Sequence, residues 1–147
     1  MNAPLQSTLA QGRVFARIAE FHPELTAFRR DLHAHPELGF EEVYTSGRVV
    51  EGLKVCGVDS IHTGLGKTGV VALVHGQGHS ADNPGRMIGL RADMDALPMS
   101  EHNECTWKSS KPGLMHGCGH DGRCEQSCRY LEDRPFHGLA PRCCPGG

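Results

Sequence analysis

The chain has 147 residues, seven cysteines and a formal net charge of −2, and this length is sufficient for one domain with its own core. Because lysine and arginine are scattered and do not outnumber the acidic residues, the composition excludes an electrostatic footprint for nucleic acid or for an anionic membrane. An odd number of cysteines without a signal peptide favours free thiols or metal ligands over a secreted disulfide scaffold. The first fifteen residues contain neither a basic start followed by an apolar run nor a bilayer-spanning stretch, so we expect a cytoplasmic protein.

Two helices are predicted to follow a polar, unpatterned lead over residues 1–12, which we expect to be mobile. Apolar residues between 14 and 32 recur at steps of three and four, which is typical of one helix face. Proline is tolerated in a first helical turn but not in a helix interior. Pro23 is therefore expected to separate a helix that ends near Phe21 from a second helix that ends near His33.

A third helix is predicted over residues 41–56, with Gly57 as its C-terminal cap. Its apolar face is expected to contain Val43, Gly47, Val50 and Leu53. Before it, His33 and His35 are a candidate pair of metal ligands, but they stand where the second helix ends. We favour the interpretation that their imidazolium groups interact with the negative end of the helix dipole. Residues 29–31 are interpreted as a solvated face of the same helix, and not as ligands.

Short strands are predicted at 58–62 and 70–74, joined by a glycine-rich turn over 63–69. This turn superficially resembles a phosphate-binding loop, but in such a loop the Gly-Lys-Thr sequence opens a helix, whereas here a β-branched strand follows. A further strand over 86–93 is predicted to place Asp93 and Asp95 at its carboxyl end, where ligands bind in open α/β sheets.

Residues 115–122 (MHGCGHDG) have the composition of half a metal site. A thiolate at Cys118 and an imidazole at His120 can reach one ion only if the backbone is extended or tightly turned, and the interspersed glycines permit such a path. The other ligands must come from elsewhere. The loop that carries Asp95 is the expected neighbour, and residues 100–113 are expected to form a surface loop that walls the site.

Three segments in this order together resemble one family: 28–42 (FRRDLHAHPELGFEE), 91–99 (RADMDALPM) and 115–122 (MHGCGHDG). Over about residues 14–122 the chain resembles the hippurate hydrolase and auxin-conjugate amidohydrolase family of dinuclear metallohydrolases, and three motifs in register are far more specific than one. The resemblance implies an α/β fold. It would be the N-terminal part of a metallopeptidase-like catalytic domain, covering residues 13–122, with helices packed on a mixed sheet.

The resemblance also implies an activity, which is hydrolysis of the amide bond of N-acyl amino acids such as hippurate-type substrates. Two divalent metal ions, such as zinc or manganese, serve this reaction in the family, whose members are often homo-oligomeric. By position, Cys118 and His120 match the first two metal ligands, with Cys118 in the place of a bridging ligand, and Asp95 matches the acidic residue that supports the site. The family's Glu-Glu pair and two later histidines have no counterpart in this sequence, so we expect the chain to be inactive by itself.

Residues 123–147 differ in character, since they contain four cysteines and almost no apolar periodicity. We expect a disordered, aberrant tail that arose from a frameshift or an early stop in a longer gene. An alternative is a small structural zinc module with the tetrahedral ligand set Cys118, His120, Cys124 and Cys128. A redox pair at Cys143 and Cys144 is disfavoured, because adjacent cysteines close a strained ring. A partly built sheet would also expose apolar surface, which predicts poor solubility.

Overall fold

The computed structural model describes residues 3–76 and 87–124. It contains two helices, α1 (Ala3–Ala34) and α2 (Val43–Val55), followed by two strands, β1 (Ser60–Leu65) and β2 (Gly69–Leu73). The residues described after β2 form loops, apart from one isolated bridge and a helical turn over 120–124. Neither helix in this part of the chain is both long and apolar enough to cross a membrane.

Helix α1 is continuous, so the predicted separation into two helices at Pro23 is wrong. It begins at Ala3, and residues 3–12, expected to form an unpatterned lead, are helical. The φ of proline fits a helix, and its missing N–H removes only one backbone hydrogen bond while good helix formers continue on both sides. The helix ends at Ala34, whose carbonyl oxygen accepts the backbone N–H of Ser110 at 3.0 Å.

The buried face of helix α2 matches the predicted one only at Leu53. Val43 is 74% exposed, whereas the buried stripe has steps of four residues and consists of Thr45, Val49 and Leu53. Its C-terminal cap is as predicted. Gly57 has a φ of +65° and donates its N–H to the Lys54 carbonyl at 3.1 Å, which is the role that glycine fills at helix ends.

The N-terminus of α2 is capped from outside the helix by the buried carboxylate of Glu37. This group accepts the backbone N–H of Tyr44 at 3.1 Å and that of Thr45 at 2.9 Å. A carboxylate is stabilised at this end of a helix because the free N–H groups and the helix dipole both favour negative charge. The backbone carbonyl of Glu37 also accepts the N–H of Ala96 at 2.7 Å. Glu37 therefore connects α2 with the loop that carries Asp95.

Strands β1 and β2 form an antiparallel pair, with Ser60 opposite Leu73 and an irregularity between Thr63 and Leu65. Between them, Gly66 and Lys67 both have positive φ. The glycine-rich turn thus joins two strands, as predicted, and does not open a helix.

The strand predicted over residues 86–93 is not formed in its described part, 87–93. No other described segment pairs with this stretch. A strand requires a neighbour to accept and donate its backbone hydrogen bonds. Without one, Met87 and Ile88 are 91% and 84% exposed.

The apolar core is small and joins α1, α2 and the helical turn over 120–124. Its buried members are Leu32, Val49, Leu53 and Cys124. Partly buried residues of the hairpin, including Ile61 and Val70, pack against it. A comparable number of polar and charged residues is buried in the same described part of the chain: His33, Glu37, Glu42, Thr45, His116 and Asp121. Hydrogen bonds between buried polar groups therefore stabilise this chain path together with the apolar core.

Candidate metal centre

The structure brings together the two segments that the sequence analysis expected to be neighbours. Leu97 and Met115 form an antiparallel bridge in which each N–H is donated to the other's carbonyl, at 2.9 and 3.0 Å. Gly117 follows this bridge at a point of close approach. A Cβ atom there would lie only 2.8 Å from the Met99 Sδ atom, so a larger residue would displace the segment or the Met99 side chain.

A tight turn orients the two candidate ligands. Gly119 has a φ of +75°, a conformation that residues with a Cβ rarely adopt. The Arg123 N–H is donated to the Gly119 carbonyl at 3.2 Å, which closes the first turn of the helical segment. Cys118 precedes the turn with an exposed thiol, and His120 begins the helical segment with a mostly buried ring.

Asp95 fixes the ring of His120. The His120 Nδ1 atom lies 2.9 Å from Asp95 Oδ1 and 3.0 Å from the Asp95 carbonyl oxygen. Both of these atoms are acceptors, so we assign the proton to Nδ1, which leaves the lone pair of Nε2 available to a metal. A carboxylate behind a histidine ligand is a common arrangement in metal sites, because it sets the tautomer and the direction of the ring.

The second aspartate of the same loop lies apart from this contact. Asp93 Oδ1 lies 2.8 Å from the exposed Arg91 guanidinium, and this hydrogen bond holds the pKa of Asp93 below its usual value. Asp93 therefore forms a surface ion pair with Arg91.

The donors present fit part of a metal shell. A thiolate and an imidazole are the ligands that zinc and similar divalent ions prefer. Within residues 3–76 and 87–124, however, no group of three or more His, Cys, Asp and Glu side chains is arranged to hold an ion. A metal held by Cys118 and His120 would therefore need further donors from outside the described residues.

The arrangement gives no support to the alternative zinc module. Cys124 is buried in the apolar core, and its Sγ atom donates to the Asp93 carbonyl at 3.3 Å. Cys118, by contrast, is exposed. The fourth member, Cys128, lies outside the described residues, as does the rest of the predicted tail from residue 125 onwards, including Cys143 and Cys144.

His33, which the sequence analysis considered as a metal ligand and set aside, makes two contacts that the sequence did not indicate. Its Nδ1 atom lies 2.9 Å from Asp121 Oδ2, and its Nε2 atom lies 3.1 Å from Glu101 Oε1. The structure adds contacts that the helix-dipole interpretation of His33 did not include, because the loop over residues 100–113 folds across the end of α1 and buries the ring. Arg29 also contacts Asp121, at 3.2 Å, so it too is more than part of a solvated face.

The loop over 100–113, which we call the wall loop, packs against the end of α1, where Glu101 contacts the His33 ring. Its role as a wall of a metal site stays a prediction. Burial opposes ionisation of Glu101. Hydrogen bonds donated by the Ser109 N–H, the Asn103 amide and the His33 ring outweigh this and lower its pKa to about 2. The guanidinium of Arg30 lies 3.8 Å above the Trp107 ring, which adds a cation–π contact between the loop and the helix.

His116 is buried beside this network. Neither ring nitrogen has a hydrogen-bond partner among the described residues, and the ring centroid lies 6.2 Å from that of His33. Burial lowers the pKa of His116, although the negative charge of Asp121 partly opposes this. The neutral imidazole is therefore favoured.

Comparisons with known proteins agree with these motifs. Residues 89–126 match the family model described as Peptidase family M20/M25/M40. The chain is 39% identical over 124 residues to hippurate hydrolase of Campylobacter jejuni, which covers 82% of this chain and 31% of that protein. It is 45% identical over 108 residues to N-acyl-L-amino acid amidohydrolase of Geobacillus stearothermophilus, which covers 71% of this chain and 27% of that protein. The chain thus spans less than a third of the length of these curated relatives.

A solved structure supports the same relationship. The chain is similar to a Bacillus subtilis protein described as a dinuclear metal binding peptidase from the M20 family, with a TM-score of 0.67 and 35% identity. The match covers 80% of this chain and 33% of that one. This likeness confirms the predicted fold class, since the two helices and the antiparallel strand pair correspond to part of an α/β catalytic domain.

Proposed function

We propose that this chain, which belongs to peptidase family M20/M25/M40, contributes the first metal ligands of a metal-dependent amidohydrolase. The observation that carries this proposal is the contact between Asp95 and the Nδ1 atom of His120, two residues from the exposed thiol of Cys118. This contact leaves Nε2 and a thiol available on one glycine-rich segment.

Each of the three residues has a separate role in this proposal. Cys118 and His120 hold a divalent metal such as zinc or manganese, and Asp95 orients the His120 ring and keeps the proton on Nδ1. A bound metal pair supplies Lewis acidity, which polarises an amide carbonyl and acidifies water. The remaining ligands and the general base come from outside the described residues, so we expect weak metal binding and no turnover by this chain alone.

We further propose N-acyl amino acids as the substrate class. The support is the names of the relatives, which include a hippurate hydrolase, an N-acyl-L-amino acid amidohydrolase and an N-acetylcysteine deacetylase. The complete enzyme would be homo-oligomeric, as the resemblance implies. It would work in the cytoplasm, because an exposed thiol ligand persists in a reducing compartment.

A cobalt titration of the purified, reduced chain tests the metal site. Cobalt(II) reports a bound thiolate through a charge-transfer absorption, and we expect this band to disappear in Cys118→Ser and to weaken in His120→Gln. Cys105→Ser is the matched control and should leave the band unchanged, because Cys105 is a partly buried free cysteine of the wall loop. A band that is lost in Cys128→Ser as well as in Cys118→Ser would contradict the proposal and revive the zinc module.

The activity itself is tested with an N-benzoyl amino acid in added manganese or zinc. Turnover is expected only when the missing ligands and base are supplied by a longer version of the chain. Turnover by the 147-residue chain, abolished by Cys118→Ser, would show that the expectation of inactivity is wrong while supporting the assigned ligand.

A further inference from the structure

Three side chains that are distant in sequence form a buried charged contact at the end of α1. We call His33, Glu101 and Asp121 the polar cluster. The His33 ring and both carboxylate groups are almost fully excluded from solvent. Removing charged groups from water is costly unless each finds partners, and here each carboxylate faces one ring nitrogen of His33.

The partners of the two carboxylates show which groups of the polar cluster donate hydrogen bonds and which accept them. Asp121 has the Arg29 guanidinium as a second cationic neighbour at 3.2 Å. Glu101 accepts the Ser109 N–H at 2.6 Å and the Asn103 amide at 3.0 Å. Both carboxylates therefore act as acceptors, and an imidazole that carries a proton on each nitrogen satisfies both contacts with His33. Neither nitrogen of His33 is then available as a metal ligand.

The cluster lies directly against the segment that holds the candidate ligands. Asp121 follows His120 in the helical turn, and Asp95 contacts the Nδ1 atom of the His120 ring. The turn is thus fixed from two directions, by the loop that carries Asp95 and by the end of α1. Two residues of α1 contact Asp121. Arg29 is about one-third exposed, whereas the His33 ring is buried, so solvent screens the contact with His33 less.

We propose that His33 is a positioning residue, which holds Asp121 and thereby sets the direction in which His120 presents its Nε2 atom. This inference rests on the proposed metal-binding role of Cys118 and His120. It also gives the wall loop a function, because Glu101 holds the opposite side of the His33 ring.

The first test is the effect of His33→Gln on cobalt binding. Loss of a residue behind a metal ligand typically weakens metal binding 10- to 100-fold, and we expect a loss of about 10-fold here. At saturating cobalt, the d–d bands should also shift, because the direction of the imidazole changes. His35→Gln is the matched control, since His35 lies two residues away, is half-exposed and contacts Asp31 instead. It should change neither the affinity nor the bands.

The second test needs no metal. Hydrogen exchange of the Arg123 and Ser109 amides should accelerate about 10-fold in His33→Gln. In the wild type, local opening must break the buried contacts of His33, and in the variant these contacts are already absent, so opening costs less free energy. The Ser46 amide of α2, which is donated to the Glu42 carbonyl, should keep its rate. If His33→Gln does not fold, Glu101→Gln replaces it, with the same changes expected in smaller degree.

The outcomes separate this inference from the proposed function. Faster exchange with unchanged cobalt affinity and d–d bands would overturn the positioning role and leave His33 merely structural. Unchanged exchange would overturn the inference whatever the cobalt result. A wild-type chain without a Cys118-dependent cobalt band would overturn the proposed function, and with it the role of His33 toward the metal.

Discussion

The end of helix α1 and the segment over residues 87–90 distribute polar and apolar groups in opposite ways. At the end of α1, the charged side chains of the polar cluster are buried and paired with one another. In segment 87–90, Met87, Ile88 and Leu90 are between 56% and 91% exposed. Buried charges and clustered exposed apolar side chains are both uncommon in a folded chain. The difference shows that the described residues pair the charged side chains of the polar cluster but do not complete their sheet.

The largest loss of stability is expected when one carboxylate of the polar cluster is removed. Asp121→Ala should lower the free energy of unfolding by about 3–5 kcal/mol, because it leaves the buried His33 without one of its two carboxylates. Asp93→Ala is the control and should change it far less, since Asp93 forms a surface ion pair with the exposed Arg91. Urea unfolding followed by circular dichroism measures both, and equal losses would contradict the assignment of the buried pair.

A smaller effect is expected from acid. Because the pKa of Glu101 is about 2 in the folded chain and about 4.3 in an unfolded one, its ionised form stabilises the fold above the unfolded pKa. This contribution should be lost as pH falls from about 5 to about 2. The midpoint of urea unfolding, measured across this range, should fall less steeply in Glu101→Gln. An identical slope in the variant would show that other carboxylates dominate the acid response.

A still smaller effect should follow from substitution of the close-approach glycine. Gly117→Ala should destabilise by about 1 kcal/mol through its contact with Met99, a flexible side chain that can partly yield. Gly47→Ala is the matched control, for which we expect a change in stability of the opposite sign. It lies in α2 with open space around it, so it should stabilise by about 0.5–1 kcal/mol. Thermal unfolding of the two variants against wild type tests this difference in sign.

The smallest change in stability is expected in the exposed segment, where solubility should respond instead. Ile88→Ser should alter the free energy of unfolding by less than about 0.5 kcal/mol, because the side chain buries almost nothing. It should, however, reduce self-association in gel filtration, since an exposed apolar patch favours contact between chains. A wild-type chain that elutes as a clean monomer at high concentration would contradict the predicted poor solubility.

Local patterns in the sequence were sufficient for features that depend on neighbouring residues. The hairpin, the cap at Gly57 and the turn at Gly119 all follow from glycine, β-branched residues and short-range spacing. The proximity of the Asp95 loop to the segment with His120 was expected from residue types as well as from the motif resemblance, and the structure places Asp95 and His120 in contact. The roles of Cys118, His120 and Asp95 toward a metal stay predictions.

Features that depend on distant residues were not visible in the sequence. Nothing near His33 indicates that Glu101 and Asp121, 68 and 88 positions away, would meet its ring. A polar residue at a helix end is usually solvated, and only the fold of the wall loop reverses this. The strand expected over 86–93 failed for the converse reason, since its apolar residues show a preference for a sheet but do not supply the neighbouring strand.

The bridge between Leu97 and Met115 has a consequence for how the chain tolerates change. It ties the two ends of segment 98–114 into a closed loop whose ends stay in place whatever the loop contains. The entropy of closing such a loop grows only with the logarithm of its length, by about 0.6 kcal/mol for each doubling. Extra residues inserted after the exposed Glu104 would therefore enlarge the wall at little cost. The loop can lengthen in this way while the turn at Gly119 keeps its anchor.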